Sequence, residues 1–194
     1  MQIPELQVHQ RHLSYAGKLG SRSTSDVSLV VIHCTELPDL AMAREYAETI
    51  KYPATGTGNA GHYYIDRDGR VEEWVPLNRI ANHVRDQNIR TVGIELVNRG
   101  RYPDWFNSNN QVMAERYRLE QVDALVDLLL LLTQKLPALR WITGHERLDI
   151  ERIPSTDNPD VYVYRKRDPG PLFPWLQILN DIPLRPLPEG ATIR

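Results

Sequence analysis

Three residues, far apart in the chain, have the side-chain types of a catalytic metal site. His33 ends an apolar run, His145 follows the segment 141–144, and Asp168 precedes two prolines that restrict the backbone. A single histidine near a strand end is more often a packed residue than a ligand, so the hypothesis of a metal site depends on all three residues together. Two imidazoles and one carboxylate suit a zinc ion that keeps a fourth position open for water. Such an ion can lower the pKa of that water to roughly 7 and polarise an amide carbonyl.

Glu95 lies on a predicted strand, 91–97, with its side chain directed to one face. Side chains alternate along a strand, so Val92, Ile94 and Leu96 point to the other face. Burial raises the pKa of a carboxyl group, which suits a residue that shuttles a proton near neutral pH. The alternative is a strand glutamate paired with an arginine, since structural ion pairs also perturb carboxylates.

Lys166 stands two residues before Asp168, so in an extended segment both side chains project to the same face. The lysine can therefore face the candidate metal. The alternative is that Arg165, Lys166 and Arg167 form a solvated basic patch, an interpretation that fits the two arginines better than the lysine.

The order of the predicted elements indicates how these residues are positioned. Strands are predicted at 27–33, 62–65, 71–75, 91–97 and 141–143, and helices at 39–51, 119–136 and 174–182. The turn signal Asp68-Gly69 makes a hairpin of the second and third strands. This order predicts a single-domain α/β fold, with a mixed central β-sheet flanked by helices. We expect an N-terminal extension at 1–26, the main domain at 27–182, a surface loop at 152–164 and a C-terminal tail at 183–194.

Composition is typical of one soluble domain with a substantial core. The chain has 194 residues, of which 41% are hydrophobic and 25% charged. A net charge of -2 gives no broad cationic field, so neither nucleic acid nor membrane is expected as a partner. The one cysteine, Cys34, cannot form an internal disulfide. The most apolar stretch, 124–132, is much shorter than the roughly 20 residues that cross a bilayer and predicts a buried helix.

Four strings of residues, in the same order along the chain, resemble the N-acetylmuramoyl-L-alanine amidase family of the AmpD type. They are Val31-Ile32-His33-Cys34-Thr35, Val92-Gly93-Ile94-Glu95-Leu96, Thr143-Gly144-His145 and the string from Lys166 to Trp175. The similarity runs from about Leu29 to Leu179, and its most specific part is Asp-Pro-Gly-Pro-x-Phe-x-Trp. The resemblance implies a fold like that of this family and of peptidoglycan-recognition proteins.

The resemblance also implies roles for individual residues. It implies that His33, His145 and Asp168 bind Zn²⁺, that Glu95 is the general base and that Lys166 stabilises the oxyanion. His83 matches a histidine of the family's substrate cleft, although Asn82-His83-Val84 departs from the usual Trp-His-Ala-Gly. His62 is interpreted as a core histidine or one that supports the ligands.

Two departures from the family's pattern bear on its branch and its substrate. Related phage lysozyme-type amidases have a tyrosine before the hairpin histidine and a cysteine as third ligand, whereas this chain has Gly61 and Asp168. The branch of the family that uses a glutamate as general base is therefore favoured. The gap between His145 and Asp168 is longer than is usual, which leaves the rim of the cleft and the substrate preference open. Tyr102, Trp105 and Phe106 form an aromatic loop that could stack on sugar or cap the core, and packing is favoured.

The expected function is zinc-dependent hydrolysis of the amide between N-acetylmuramic or anhydromuramic acid and L-alanine of peptidoglycan stem peptides. The alternatives are a non-catalytic muropeptide-binding module and a zinc peptidase that cuts within the stem. Residues 1–6 lack the basic start and apolar core of a secretory signal, which predicts a cytoplasmic protein acting on recycled fragments. The sequence leaves the oligomeric state open, and a monomer is expected. Export without a signal, as a lysin or effector acting on intact cell wall, is the other possibility.

Overall fold

The central strand of the fold contains only buried residues, as expected for a strand covered on both faces. The computed structural model describes residues 6–191, so 1–5 of the predicted extension and 192–194 of the predicted tail lie outside the described residues. The strands are β1 (Val8–Gln10), β2 (Leu29–Cys34), β3 (Tyr63–Ile65), β4 (Val71–Glu73), β5 (Thr91–Leu96), β6 (Trp141–Gly144), β7 (Arg152–Pro154), β8 (Tyr162–Tyr164) and β9 (Arg185–Pro186). The α-helices are α1 (Leu40–Glu48), α2 (Leu119–Lys135), α3 (His145–Leu148) and α4 (Trp175–Asp181).

The main sheet is mixed and has the order β1-β4-β3-β5-β2-β6-β9. The strands β3, β5, β2, β6 and β9 run parallel, while β4 returns antiparallel to β3 and pairs in parallel with β1. The carboxyl ends of parallel strands meet at one edge, where α/β folds commonly bind ligands. The predicted α/β fold with a mixed sheet flanked by helices is confirmed.

The two faces of the sheet are covered by different elements. On one face, α2 and α4 pack against the side chains of β2 and β5 that include Ile32 and Ile94. The buried leucines of α2 are Leu125, Leu128, Leu129 and Leu132. Each contributes roughly 2 kcal/mol through the apolar surface it removes from water. On the other face, α1 packs with Trp74 and with the segment 13–19.

Helix α1 begins where the sequence supplies an N-cap. The carboxylate of Asp39 accepts a hydrogen bond from the backbone N–H of Met42 at 2.8 Å, which satisfies one of the free donors of the first turn. The helix presents Ala43 and Ala47 to the sheet, and the neighbouring Tyr46 is half exposed. Small residues on the buried side allow α1 to lie close to the sheet.

Four short strands differ from the sequence interpretation. The segment 152–164, predicted as a surface loop, forms the antiparallel hairpin β7–β8, in which Val163 is buried. Strand β1 comes from the predicted N-terminal extension, and β9 comes from the predicted C-terminal tail. Strands of two or three residues carry too little alternation to be recognised, and partner strands from elsewhere in the chain decide their pairing.

Among residues 6–191, no helix is both long enough and apolar enough to cross a membrane.

Candidate active site

The three candidate ligands lie at the carboxyl edge of the sheet, each in a different segment of the chain. His33 is near the end of β2, and its register partner on β5 is Glu95. His145 is the first residue of α3, directly after β6. Asp168 is fixed beside it, because its carbonyl accepts a hydrogen bond from the backbone N–H of Glu146 at 2.9 Å. Gly144 permits this approach, since a Cβ there would lie 2.7 Å from the Cδ of Pro169.

The three side chains converge on one point. Oδ2 of Asp168 lies 2.9 Å from Nδ1 of His33 and 3.1 Å from Nδ1 of His145. One ligand atom from each residue falls within 4.8 Å of the others, and all three residues are buried. Two ligand atoms on a tetrahedral zinc ion are separated by roughly 3.3 Å, given bond lengths of about 2.0 Å. The observed spacing is therefore close to that of a zinc site.

The protonation states of these side chains suit metal binding. Burial and the neighbouring His145 lower the pKa of His33 to about 4, against the opposing effect of Asp168. The imidazole of His33 is thus neutral at pH 7. Burial alone would raise the pKa of Asp168, but the imidazole of His145 and the close contacts with the rings of both histidines hold it well below its usual range. A neutral imidazole and an ionised carboxylate are the forms that bind a cation.

One polar atom of the cluster supports the fit of a metal ion. Oδ1 of Asp168 is buried and has no hydrogen-bond partner within the part of the chain that the structure describes. Buried polar atoms are normally satisfied, and unsatisfied ones point to an ion or a water. The donor set of two imidazoles and one carboxylate matches zinc, so these residues fit the group that the sequence implies.

Glu95 faces the same space from β5. Its Oε1 lies 4.0 Å from Nδ1 of His33. Burial and the nearby carboxylate of Asp168 raise the pKa of Glu95 to about 8, against the opposing effect of Lys166. The predicted face assignment is observed, because Val92, Ile94 and Leu96 all lie in the core on the other side of the sheet.

Lys166 lies in the wall of the cleft, and its charge lowers the pKa of both Asp168 and Glu95. Arg165 departs from the solvated-patch interpretation, because its side chain is also in the cleft wall and pairs with Asp149 and Glu151. These carboxylates come just after α3, more than ten positions before Arg165, so no local pattern predicts that they meet it.

Two further histidines, His83 and His62, are close to His33: the ring of His83 lies next to His33, and the ring of His62 lies next to His83. His83 contacts His33, with their ring centroids 5.2 Å apart, and lines the cleft. His62 is fully buried, and its Nδ1 accepts a hydrogen bond from the backbone N–H of Gly93 at 3.1 Å. Nε2 of His62 lies 3.1 Å from the carbonyl of Arg79 and 2.8 Å from the guanidinium of Arg22. His62 therefore does not reach the metal cluster.

The cleft around the cluster has a volume of about 470 Å³, and aromatic residues from separate segments of the chain line it. Tyr46, Tyr52 and Asn59 form one side, where the hydroxyl of Tyr52 donates to Oδ1 of Asn59 at 2.8 Å. Trp105 and Phe106 line another side, so the aromatic loop both packs and faces the cleft. The tyrosines were not found from the sequence, because an exposed aromatic residue on a helix has no distinguishing pattern.

A buried ion pair lies beneath the cleft and was also missed by sequence reasoning. Arg101 is 1% exposed, and its Nε and Nη2 each donate to a carboxylate oxygen of Glu36 at 2.7 Å. Arg101 also donates to the carbonyl of Tyr164 on β8 at 2.9 Å. The pair thus joins the end of β2 to the hairpin β7–β8. A separation of 65 residues between the partners gives no local signal.

The chain matches a family model described as N-acetylmuramoyl-L-alanine amidase over residues 23–171. That span contains all three candidate ligands as well as Glu95 and Lys166. No curated protein matches the chain.

Solved structures share the fold at low sequence identity. The endolysin and N-acetylmuramoyl-L-alanine amidase LysCS from Clostridium intestinale URNW is 18% identical, with a TM-score of 0.62 over 95% of this chain and 99% of that one. A selenomethionine AmpD derivative is 20% identical, with a TM-score of 0.63 over 94% and 99%. AmiD from E. coli, in complex with the substrate anhydro-N-acetylmuramic acid-L-Ala-D-gamma-Glu-L-Lys, is 21% identical, with a TM-score of 0.61 over 80% and 57%.

Proposed function

This chain belongs to the N-acetylmuramoyl-L-alanine amidase family, and from that premise we propose that it is a zinc-dependent amidase. The bond cleaved is the amide between the lactyl group of N-acetylmuramic or anhydromuramic acid and the first L-alanine of a stem peptide. The observation that carries the proposal is the convergence of His33, His145 and Asp168 to within 4.8 Å beside Glu95.

His33, His145 and Asp168 would hold the zinc ion in this proposal. When bound there, zinc supplies a Lewis acid that lowers the pKa of water to roughly 7 and polarises an amide carbonyl. Asp168 contributes one negative charge, while the two neutral imidazoles contribute none. The set therefore leaves a net positive charge to act on the substrate.

Glu95 serves as the general base toward the attacking water. Its Oε1 lies 4.0 Å from Nδ1 of His33, so its carboxylate borders the space in which the water must stand. It accepts the proton as the water attacks the carbonyl carbon. It then delivers that proton to the departing alanine nitrogen, which leaves as a neutral amine.

Lys166 stabilises the negative charge that develops on the amide oxygen. An ammonium group in a largely enclosed site is worth more than in water, because few solvent dipoles compete with it. Lys166 and Asp168 are two residues apart, which supports both side chains facing the same reacting group.

The substrate class in this proposal is a peptidoglycan fragment. The E. coli structure that shares the fold holds an anhydromuramyl peptide. The open cleft of about 470 Å³, with Tyr46 and Tyr52 on one wall, is large enough for a sugar and part of a peptide. A cytoplasmic location and a role in recycling fragments stay part of the proposal, and a monomer is expected.

The proposal is tested by incubating the protein with an anhydromuramyl peptide and identifying the products by mass spectrometry. Free stem peptide beginning at L-alanine is expected with zinc present, and its release should stop after chelation and resume when zinc is restored. Fragments cut within the stem would indicate a peptidase instead. Tight binding of the intact muropeptide with no cleavage would indicate the non-catalytic module. The presence of Glu95 and Lys166 favours the enzyme.

A further inference from the structure

His83 is held between His33 and the first residue of β5 by both of its ring nitrogens. Its Nδ1 lies 3.0 Å from Nε2 of His33, and its Nε2 lies 3.0 Å from the hydroxyl oxygen of Thr91. The backbone N–H of His83 donates to Oδ1 of Asn88 at 3.1 Å, which fixes the loop that carries the ring. Neither ring nitrogen is therefore free to bind a substrate.

The surroundings of Thr91 decide the direction of these hydrogen bonds. Its hydroxyl oxygen lies 3.0 Å from the carbonyl oxygen of Gln87 and 3.5 Å from that of Asn88. A carbonyl oxygen only accepts hydrogen bonds, so the one hydroxyl hydrogen of Thr91 must point to a carbonyl oxygen. Otherwise lone pairs of two oxygen atoms would face each other. The hydroxyl oxygen then accepts from Nε2–H of His83. A neutral imidazole with its proton on Nε2 has an acceptor at Nδ1.

The same logic extends to His33. Because Nδ1 of His83 is an acceptor, Nε2 of His33 must carry the proton that it accepts. The lone pair of His33 is then on Nδ1, the atom that faces Asp168 at 2.9 Å. A lone pair and a carboxylate oxygen at this distance repel each other, and a cation bound by both atoms would remove that repulsion. The hydrogen bonds thus prepare His33 to bind a metal ion.

We propose that His83 is a positioning residue, which accepts the Nε2 proton of His33 and keeps the Nδ1 lone pair of His33 directed at the metal site. The inference rests on the proposed zinc site. Partners that donate or accept on the far side of a ligating histidine fix its tautomer and ring orientation, and their loss weakens metal binding by about 10–100-fold. Here a second histidine, itself oriented by Thr91, takes the place of the usual carboxylate or carbonyl.

Gly93 is part of the same arrangement. A Cβ at this position would lie 2.6 Å from Nδ1 of His83, so only glycine lets the ring lie against β5. Gly93 is two residues before Glu95 on the same face of the strand. The strand that carries the general base therefore also supports the partner of His33.

The experiment measures zinc affinity by competition with a chromophoric chelator in four variants. His83→Ala should raise the dissociation constant by about 10–100-fold. His83→Asn should stay within about threefold of the wild type, because its amide oxygen can accept the His33 proton. Thr91→Val, which keeps the side-chain shape but removes the hydroxyl, should weaken binding by roughly 3–10-fold. Leu125→Ala, which destabilises the core far from the cleft, should leave zinc affinity unchanged.

Imidazole nitrogen NMR on the zinc-loaded wild type supplies a second measurement. His83 should be protonated at Nε2 and unprotonated at Nδ1. Protonation at Nδ1, or His83→Ala with wild-type zinc affinity, would overturn the positioning role while leaving the amidase proposal in place. An equal loss of affinity in Leu125→Ala would assign the effect to stability and overturn the role as well. A wild-type protein that binds no zinc would overturn both proposals.

Discussion

The carboxylates around the cleft differ in what holds them. Glu36 is bound by two nitrogens of Arg101, and Asp168 faces two imidazole nitrogens at 2.9 and 3.1 Å. Glu95 meets His33 only at 4.0 Å, and burial raises its pKa to about 8. A carboxyl group that is neither ligand nor ion-pair partner can exchange protons, which is the property that a general base needs.

Replacing Glu95 with glutamine tests this difference at the level of one residue. The amide has nearly the same shape but cannot accept a proton, so turnover should fall by about 100–10,000-fold. Zinc content measured by elemental analysis and the far-UV circular dichroism spectrum should match those of the wild type. Full activity of this variant would refute the assignment of Glu95 as base.

Strand β5 contributes to both the core and the cleft within a few residues. Val92, Ile94 and Leu96 form part of the core, while Gly93 and Glu95 face the cleft. The alternation of side chains separates these tasks without any change of secondary structure. The consequence is that small changes on the cleft side of β5 should alter the site while leaving the core intact.

Gly93→Ala should therefore displace His83. The added Cβ would lie 2.6 Å from Nδ1 and 2.7 Å from Cγ of that ring, so either the ring or the strand must move. We expect a loss of stability of about 1–3 kcal/mol together with weaker zinc binding. Denaturant unfolding and the chelator assay measure the two effects. Gly17→Ala is the matched control, because a Cβ there meets nothing within 4 Å; equal behaviour of both variants would contradict the steric argument.

The ion pair of Glu36 and Arg101 should be important for joining β2 to the hairpin β7–β8. Arg101→Met leaves the Glu36 carboxylate in a buried position without its cation, and removal of one partner of a buried pair costs about 3–5 kcal/mol. Adding Glu36→Gln removes the uncompensated charge and should recover part of that loss. Urea unfolding of both single variants and the double variant gives the coupling. Strict additivity of the two changes would mean that the pair does not act as a unit.

The metal site connects segments that span most of the molecule. His33 lies near the end of the central strand β2, His145 begins α3 after β6, and Asp168 comes after the hairpin β7–β8. A ligand that binds only the folded state stabilises it by mass action. An ion shared by these three segments should therefore stabilise the whole domain.

Removal of zinc should accordingly lower the melting temperature. With free zinc at about 100 times its dissociation constant, the expected difference is about 5–10 °C between the zinc-bound and chelated protein. Differential scanning calorimetry with and without a chelator measures it. His145→Ala should melt at the same temperature in both conditions, and a chelator effect on that variant would place the stabilising metal elsewhere.

Long apolar elements were predictable because their patterns are local. The run 27–33 became β2, the leucine-rich segment 119–136 became α2, and Asp68-Gly69 produced the hairpin β3–β4, with Gly69 at a φ of 84°. The short strands β1, β7, β8 and β9 were not predicted. Their two or three residues have little preference of their own, and pairing with distant strands determines their conformation.

The types of side chain and the elements that carry them could be read from the sequence. His33, His145 and Asp168 stand at strand ends or beside prolines, which are local features, and the resemblance of their strings to the amidase family selected them together with Glu95. The contacts of these side chains became apparent only in the folded molecule: Glu36 meets Arg101, Arg165 meets Asp149, and His83 meets His33 and Thr91. These contacts join residues that are mostly separated by many positions, and hydrogen-bond direction depends on atoms that come together only after the chain has folded.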